Sequence, residues 1–417
     1  MSFPRYEAYK DSGLERLGVT PDPWRIVSTK RVATFVYGDA LPHDARDEDG
    51  DVPVYGSNGS FGYHNTPNTE APAILIGRKG SCGALNWTDV PSFGIDTVYF
   101  IDSRCTHVHL RWLYWALHIL GLETMSQDTG VPGLARELAY STKLPLPSPS
   151  EQHAIAAFLD YQTAKIDALV DEQQRLIALL KEKRQAVISH AVTNGLDPNA
   201  PMKDSGVEWL GEVPAHWRLE RAKRFFRFVK RQDRADLPVL SVYRDFGVIE
   251  KSSRDDNINK TPEDLSLYQT VIPGDLVINK MKAWQGSLGV STLRGITSPD
   301  YAVFSSEHVE RPAFLNYMLR CKLLPPLYKA ISNGIRPDQW RIEPDKFLHL
   351  IFVLPSYDEQ RAIVEFLDRE TAKIDALVAE AETATALLQE RRSALISAAV
   401  TGKIDVRGLA PIQAEAA

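Results

Sequence analysis

The sequence predicts an α+β protein made of two related globular domains, each followed by a long α-helix. The two helices are expected to pair as an antiparallel coiled coil. Three observations carry this reading. The motif KDSGLERLGVTPDPWRI (residues 10–26) returns as KDSGVEWLGEVPAHWRL (residues 203–219). The block SEQHAIAAFLDYQTAKIDALV (residues 150–170) returns as YDEQRAIVEFLDRETAKIDALV (residues 357–378). Between these copies lie two stretches of short β-rich runs and turn residues that have diverged sharply from one another. Such a duplication implies two similar units related by a pseudo-two-fold axis. The frame does one job twice, and the middles are specialised separately.

Taken in order, residues 1–149 form the first globular domain. Apolar runs such as PAILIG (72–77) and DTVYFID (96–102) read as strands separated by Gly, Pro, Asn and Ser turns. HLRWLYWALHIL (109–120) carries its apolar residues at helical spacing. LPLPSPS (144–150) closes the domain, because its prolines suit neither a helix interior nor a central strand. Residues 150–196 hold the first long helix. From Glu151 to Val192 there is no Gly or Pro. A heptad seam is predicted through Leu159, Ile166, Leu169, Leu176, Leu180 and Val187, interrupted by Gln162, Gln173 and Lys183. A helix of ~40 residues is ~60 Å long and needs a partner for its apolar stripe. Gly195 is placed to stop it. Residues 197–356 form the second domain, with strands in LPVLSVY (237–243) and DLVIN (275–279). Residues 357–402 repeat the helix, with a seam through Leu367, Ile374, Leu377, Leu388 and Leu395, small residues at Ala381 and Ala384, and Gly402 as its stop. The tail, 403–417, is expected to be disordered.

The chain's 417 residues suffice for two or three separate cores. A hydrophobic content of 44% and a charged content of 24% are those of an ordinary soluble protein. No apolar run approaches the ~18 residues that span a membrane, and the N-terminus does not read as a signal peptide. Three scattered cysteines argue against a disulfide framework, so a cytoplasmic location is expected. The net charge of -6 means that any nucleic-acid surface must be a local basic patch or be completed by a partner.

The order of opening motif, divergent domain and FLDxxTAKID helix, all given twice, resembles the specificity (S) subunit of type I DNA restriction-modification systems. The resemblance covers nearly the whole chain. PVYGSNGSFGYHN (53–65), ILIGRKGSCG (74–83) and TGVPGLARELAYSTKLPLPS (129–148) are similar to parts of that family's target recognition domains, and PGDLVINKMKAWQGSLGVS (273–291) and GITSPDYAVF (295–304) to another subtype. The resemblance implies a bipartite double-stranded DNA site, one half read by each domain, with an unread gap set by the helices. It also implies two adenine-N6 methyltransferase (M) subunits docked on the helical regions and ATP-driven restriction (R) subunits outside them. S-adenosylmethionine, ATP and Mg would then serve those partners, with no cofactor in this chain.

Candidate DNA-binding residues follow from charge and turn chemistry. The basic stretch RLERAKRFFRFVKRQDR (218–234) offers Arg218, Arg221, Lys223, Arg224, Arg227, Lys230 and Arg231 for phosphates, with Phe225, Phe226 and Phe228 as its anchor in the core. The glycine turn IGRKGSCG presents Arg78 and Lys79, where an Arg fork matches guanine O6/N7. INKMKAWQGS offers Lys280, Lys282 and Gln285 at the corresponding place, and YGSNGSFGY offers Ser57, Asn58 and Ser60. Gln339 and Arg341 flank Trp340 as further contacts. For partner docking the candidates are the polar residues that recur with the helices: Glu151, Gln152, Asp160, Thr163 and Lys165, repeated as Glu359, Gln360, Asp368, Thr371 and Lys373.

Catalytic readings find little support. The Asn/Asp-Pro-Pro-aromatic turn of amino-methyltransferases is missing, SPDY (298–301) being its nearest approach, and no stretch has Walker A spacing. Cys105, His107 and His109 would share one face of a strand but lack a fourth metal ligand. The chain is therefore expected to be non-catalytic. Two alternatives stay open: the recognition part of a related restriction nuclease, and a protein-binding scaffold.

Overall fold

The computed structural model describes residues 3–42, 49–125, 133–232, 234, 236–244, 246–254, 261–308, 310–334 and 340–409. They form two compact units, and these do not coincide with the two sequence repeats. The first comprises Met1–Gln174 and Thr383–Ala417; the second is Arg175–Glu382. Both long helices, Pro149–Asn194 and Tyr357–Val400, are continuous across this division. Each unit therefore takes one helical half from either repeat.

In the first unit the fully buried strand Ala73–Gly77 lies between Val98–Ile101 and Leu85–Thr88, and Val36–Tyr37 pairs on the far side of Val98–Ile101. An apolar run buried on both faces has no need of alternation, which is why AILIG reads as continuous. The second unit repeats the order with other residues: Phe226–Val229, Tyr301–Ser306, Leu276–Asn279 and Leu288–Val290. The registers match as well. Tyr99 faces Ile76 in one sheet as Ala302 faces Ile278 in the other. The strand Lys143–Leu146 contains Pro145 yet pairs with Arg25–Ser28, which is allowed because it has only that one neighbour. Pro149 then opens the helix, where its missing N–H is not needed. Residues 109–120 give the helix Leu110–His118, whose first turn is capped by the His109 ring accepting from Trp112 N. Cys105 ends a 3-10 turn, Ser103–Cys105, so the strand alternation expected for Cys105, His107 and His109 does not exist.

The helices pair antiparallel, as their ion pairs show. In the second unit Lys181 meets Glu382 and Arg184 meets Asp375, so advancing along one helix retreats along the other. The first unit contains the duplicate of the second contact, Arg392 to Asp167, at the same 2.8 Å. The packing stripe differs from the predicted seam. Leu159, Ile166 and Leu180 are buried, but Leu169, Leu176 and Leu377 are exposed. The second column runs one residue later, through Thr163, Val170, Ile177, Arg184 and Ala191, and through Thr371, Val378, Thr385, Arg392 and Ala399 in the copy. The reason is physical. The helix must also cover its own globular domain through Ile155 and Phe158, which widens the apolar stripe past a strict heptad seam.

Each helix ends on a positive-φ glycine seated against a tryptophan of an opening motif. Gly195 (φ 77) lies under Trp217, and Gly402 (φ 75) under Pro21 and Trp24. In the first unit this joins the two ends of the chain. Tyr9 Oη donates to Gly402 O, Asp405 N donates to Pro4 O, and Val406 is fully buried. The tail expected to be disordered from residue 403 is thus packed as far as Val406, because that side chain completes the first core.

Candidate nucleic-acid interface

Two loops meet at one end of the first sheet. The hairpin Val52–Gly56/Gly59–His64 brings its tip, Ser57 and Asn58, onto the turn that follows strand Ala73–Gly77. Ser81 Oγ donates to Asn58 Oδ1 at 3.4 Å, and a Cβ on Gly80 would lie 3.3 Å from Ser57 Oγ. At Gly77 a Cβ would stand 2.0 Å from Ser81 O, so only glycine lets the turn fold back this tightly. Arg78 leaves the turn with its backbone pinned on both sides, by Thr97 O and by Leu134 N. Its Nη1 donates to Asp96 O at 2.7 Å. Lys79 and Ser60 are exposed.

The second unit builds the same place from different residues. Lys280 follows the matching strand, its N–H donates to Asp300 O, and its carbonyl accepts from Ile342 N. Nζ donates to Pro299 O at 2.8 Å, as Arg78 does to Asp96 O. Arg341 pairs with Asp300 at 3.0 Å. Burial lowers the Lys280 ammonium's pKa, and the nearby charges of Arg341 and Lys230 push the same way while Asp300 opposes them. These cations converge although they are far apart in sequence. The hairpin Leu240–Tyr243/Gly247–Glu250 again rests its tip here, with Arg320 Nη2 donating to Arg244 O and Gly247 Cα 3.2 Å from a Cβ placed on Gly289. Exposed Phe246 and half-buried Tyr243 carry the Arg254 guanidinium over their rings. Lys282 and Gln285 are exposed on the short turn beyond Lys280. Gln339 lies outside the described residues.

The basic stretch 218–234 is neither one helix nor one surface. It runs as strand Arg218–Arg221, a 3-10 turn, and strand Phe226–Val229. Acidic partners occupy much of its charge: Arg218 meets Glu310, Arg227 meets Glu307, Arg231 meets Asp275 and Arg234 meets Asp236. Arg231 in particular is a structural residue, since the Asp275 side chain is only 2% exposed. Phe225 and Phe226 are buried as expected, whereas Phe228 is exposed. The strand register places Lys230 beside Lys280 but puts Arg221, Lys223 and Arg224 at the opposite end of the sheet. There they line a groove of about 600 Å³ with Ser205, Gly206 and Ile351. The Lys-Arg pair of this turn recurs in the first unit as exposed Lys30 and Arg31.

The recurring polar residues of the helices are mostly turned inward. Gln152 and Gln360 are buried and accept from His109 N and Arg311 N. Thr163 and Thr371 are buried and donate to the carbonyls of Leu159 and Leu367. Glu151 and Glu359 accept from the indoles of Trp24 and Trp217, fastening each helix to its opening motif. For Glu359 burial raises the pKa, but hydrogen bonds from His216, Ser356 and Trp217 outweigh it and hold the carboxyl at about 2. Asp160 is held by Arg111 and Trp115, and Asp368 by Tyr317. The repetition of these residues is thus explained by packing within each unit; Gln152, Thr163, Gln360 and Thr371 are too buried to meet a partner. Lys165 and Lys373 are exposed. So are the leucine pairs Leu169/Leu377 and Leu179/Leu387.

Sequence reasoning missed Tyr37, Arg136, Arg244, Phe246 and Arg254. Only the tight hairpin signal YRDFG (243–247) pointed to any of them.

Comparison with known proteins points the same way. Residues 21–178 match the type I restriction modification DNA specificity domain. The MjaVIII specificity subunit of Methanocaldococcus jannaschii is 24% identical over 82% of this chain and 78% of its own length. The EcoDI specificity subunit of Escherichia coli is 21% identical over 93% of this chain and 90% of its own. A solved chain from a study of assembly and conformational transition in the type I R-M system shares the fold, with a TM-score of 0.60 at 16% identity, over 92% of this chain and 99% of that one. The chain carries the DNA specificity domain of type I restriction-modification systems over residues 21–178, and along most of its length it is similar to their specificity subunits.

Proposed function

We propose that this subunit selects a bipartite double-stranded DNA site, each unit reading one half, and that it carries methyltransferase and restriction subunits that perform the chemistry. The observation that carries this reading is the surface built twice on the same strand ends. A basic residue is pinned after the central strand, beneath a hairpin tip, with Arg78 in one unit and Lys280 in the other. Side chains at equivalent positions differ, as expected if the two halves read different bases. Phosphate contacts carry no sequence, so they are free to recur. The exposed pairs Lys30–Arg31 and Lys223–Arg224 fit that role.

Two identical methyltransferase subunits would dock on exposed features that recur. Leu169 with Leu377, Leu179 with Leu387 and Lys165 with Lys373 meet that requirement. S-adenosylmethionine, ATP and Mg belong to the partners in this scheme, and the chain alone catalyses nothing. Among the described residues no helix is long and apolar enough to cross a membrane, in keeping with work on DNA in the cytoplasm.

The test is co-expression with a type I methyltransferase subunit from the same genome, followed by sequencing of methylated adenines. A two-part motif with a fixed unread gap is expected, and native mass spectrometry should find two methyltransferase copies per chain. An unsplit motif, a one-to-one complex, or methylation by the purified chain alone would each refute part of the proposal.

A further inference from the structure

Around Tyr37 in the first unit two cations converge on one aromatic ring. Both the Arg78 and Arg136 guanidiniums lie over the Tyr37 ring, their carbons 5.1 and 5.0 Å from its centroid. Tyr37 is itself fixed, edge-on to buried Tyr99 at 4.9 Å. The ring face attracts each guanidinium, but the two like charges repel one another unless acidic groups or a ligand offset them. Here the compensation is slight. Arg78 has no ion pair among the described residues, and Glu137 Oε1 stands 3.9 Å from Arg136 Nε. That Nε is shielded from water and has no hydrogen-bond acceptor, so a buried donor is left unpaired. Yet the cluster is open, with Tyr37 45% exposed and the Arg136 side chain 36% exposed. Beside it stand the uncharged polar groups of the hairpin tip, Ser57 and Asn58.

We propose that Arg78 and Arg136, held on the Tyr37 ring, read a guanine in the half-site of the first unit. The inference rests on the DNA-reading role proposed above. Contact with the ring limits the swing of each guanidinium and leaves N–H donors to match O6 and N7 of guanine, the pairing that arginine makes best in the major groove. A phosphate would accept from the same donors, but the cluster's divergence argues for a base. By strand register Tyr37 corresponds to Lys230, and Arg78 to Lys280, so the second unit has lysines where the first has a ring-backed arginine. A contact that reads sequence must differ between halves; one to phosphate need not.

The experiment uses the complex with its methyltransferase and proceeds in two stages. Wild type is first required to yield a bipartite methylated motif; if it does not, the DNA-reading role itself fails. Given a motif, Arg136→Gln and Arg136→Lys should each turn one G·C position of one half-site degenerate while leaving the other half-site unchanged. The intact second half-site certifies that the variants fold. In direct binding, 7-deazaguanine at that position, which lacks N7, should weaken wild type roughly 10–100-fold and leave Arg136→Gln unaffected. Degeneracy and 7-deazaguanine sensitivity together support the proposal. An unchanged motif, or an even loss over all sequences with a flatter salt dependence, overturns it, the latter by marking a phosphate contact.

Discussion

Lys230 and Arg231 are adjacent, equally charged and equally suited by sequence to DNA, yet the structure gives them opposite roles. Arg231 makes two hydrogen bonds to the Asp275 carboxylate, at 2.5 and 3.3 Å, and that carboxylate also accepts from Ile272 N at 2.9 Å. Arg231→Ala would leave Asp275 buried with one N–H donor and no counter-charge. Removing one partner of such a pair costs about 3–5 kcal/mol, and the surviving bond argues for the lower end, about 3. In a unit of this size each kcal/mol moves the melting temperature roughly 2–4 °C, so a fall of about 6–12 °C is expected. Lys230→Ala removes an ammonium with no internal ion pair among the described residues, and stability should stay within about 0.5 kcal/mol. Its effect should appear instead in DNA affinity of the methyltransferase complex. The assays are calorimetric melting of the chain, hydrogen exchange of strand Leu276–Asn279, and anisotropy binding over a salt series. If Arg231→Ala melts like wild type while losing DNA affinity, or Lys230→Ala lowers the melting point, the division of the basic stretch into structural and reading residues is wrong.

Gly402→Ala should destabilise the first unit more than Gly195→Ala destabilises the second. Both pay about 1–2 kcal/mol for a left-handed residue, but the new Cβ meets Pro21 at 2.4 Å in one case and Trp217 at 3.1 Å in the other, a difference that paired denaturant titrations would resolve. Burial holds the imidazoles of His109, His118 and His308 below the ordinary histidine range. Their contribution to stability is therefore complete above about pH 6.5 and lost as the pH falls from there toward their folded values; melting temperatures between pH 5 and 8 should show the decline, and His118→Leu should flatten it. Four residues inserted at both Gln173 and Ala381 add ~6 Å to each helix with the packing stripe nearly in phase, and one base pair rises ~3.4 Å. The unread gap should then lengthen by one or two base pairs in methylome sequencing. An insertion in one helix alone pulls Arg184–Asp375 out of step with Asp167–Arg392 and should abolish activity.

The duplication, both long helices and their glycine stops were legible because they are local or repeated patterns. The turn at Arg78 and its counterpart at Lys280 were legible too, since glycine and strand signals bracket them. The packing stripe was misplaced by one residue because leucine or isoleucine stands at 176, 177, 179 and 180, so the apolar pattern supports two neighbouring columns. Charge neutralisation was invisible for a different reason. Glu310 and Asp275 stand far along the chain from Arg218 and Arg231, and only the fold brings them together. Recurrence misled in a third way: Gln152 and Thr163 recur because each copy needs them inside, and a repeated polar residue on a helix does not announce which way it faces.

The bond from Trp24 to Glu151, copied as Trp217 to Glu359, has an evolutionary consequence. It closes each reading domain with a bracket whose two ends lie in the repeated sequence, outside everything that varies. Whatever is spliced between the brackets inherits a ready attachment at the start of the helix, and has then to match only the side chains that the helix turns toward its domain, Ile155 and Phe158 in the first copy. On the proposed function, recombination within the repeats would trade one half-specificity for another in a single event. Point mutation inside a domain must negotiate with the hairpin, the turn and the sheet all at once.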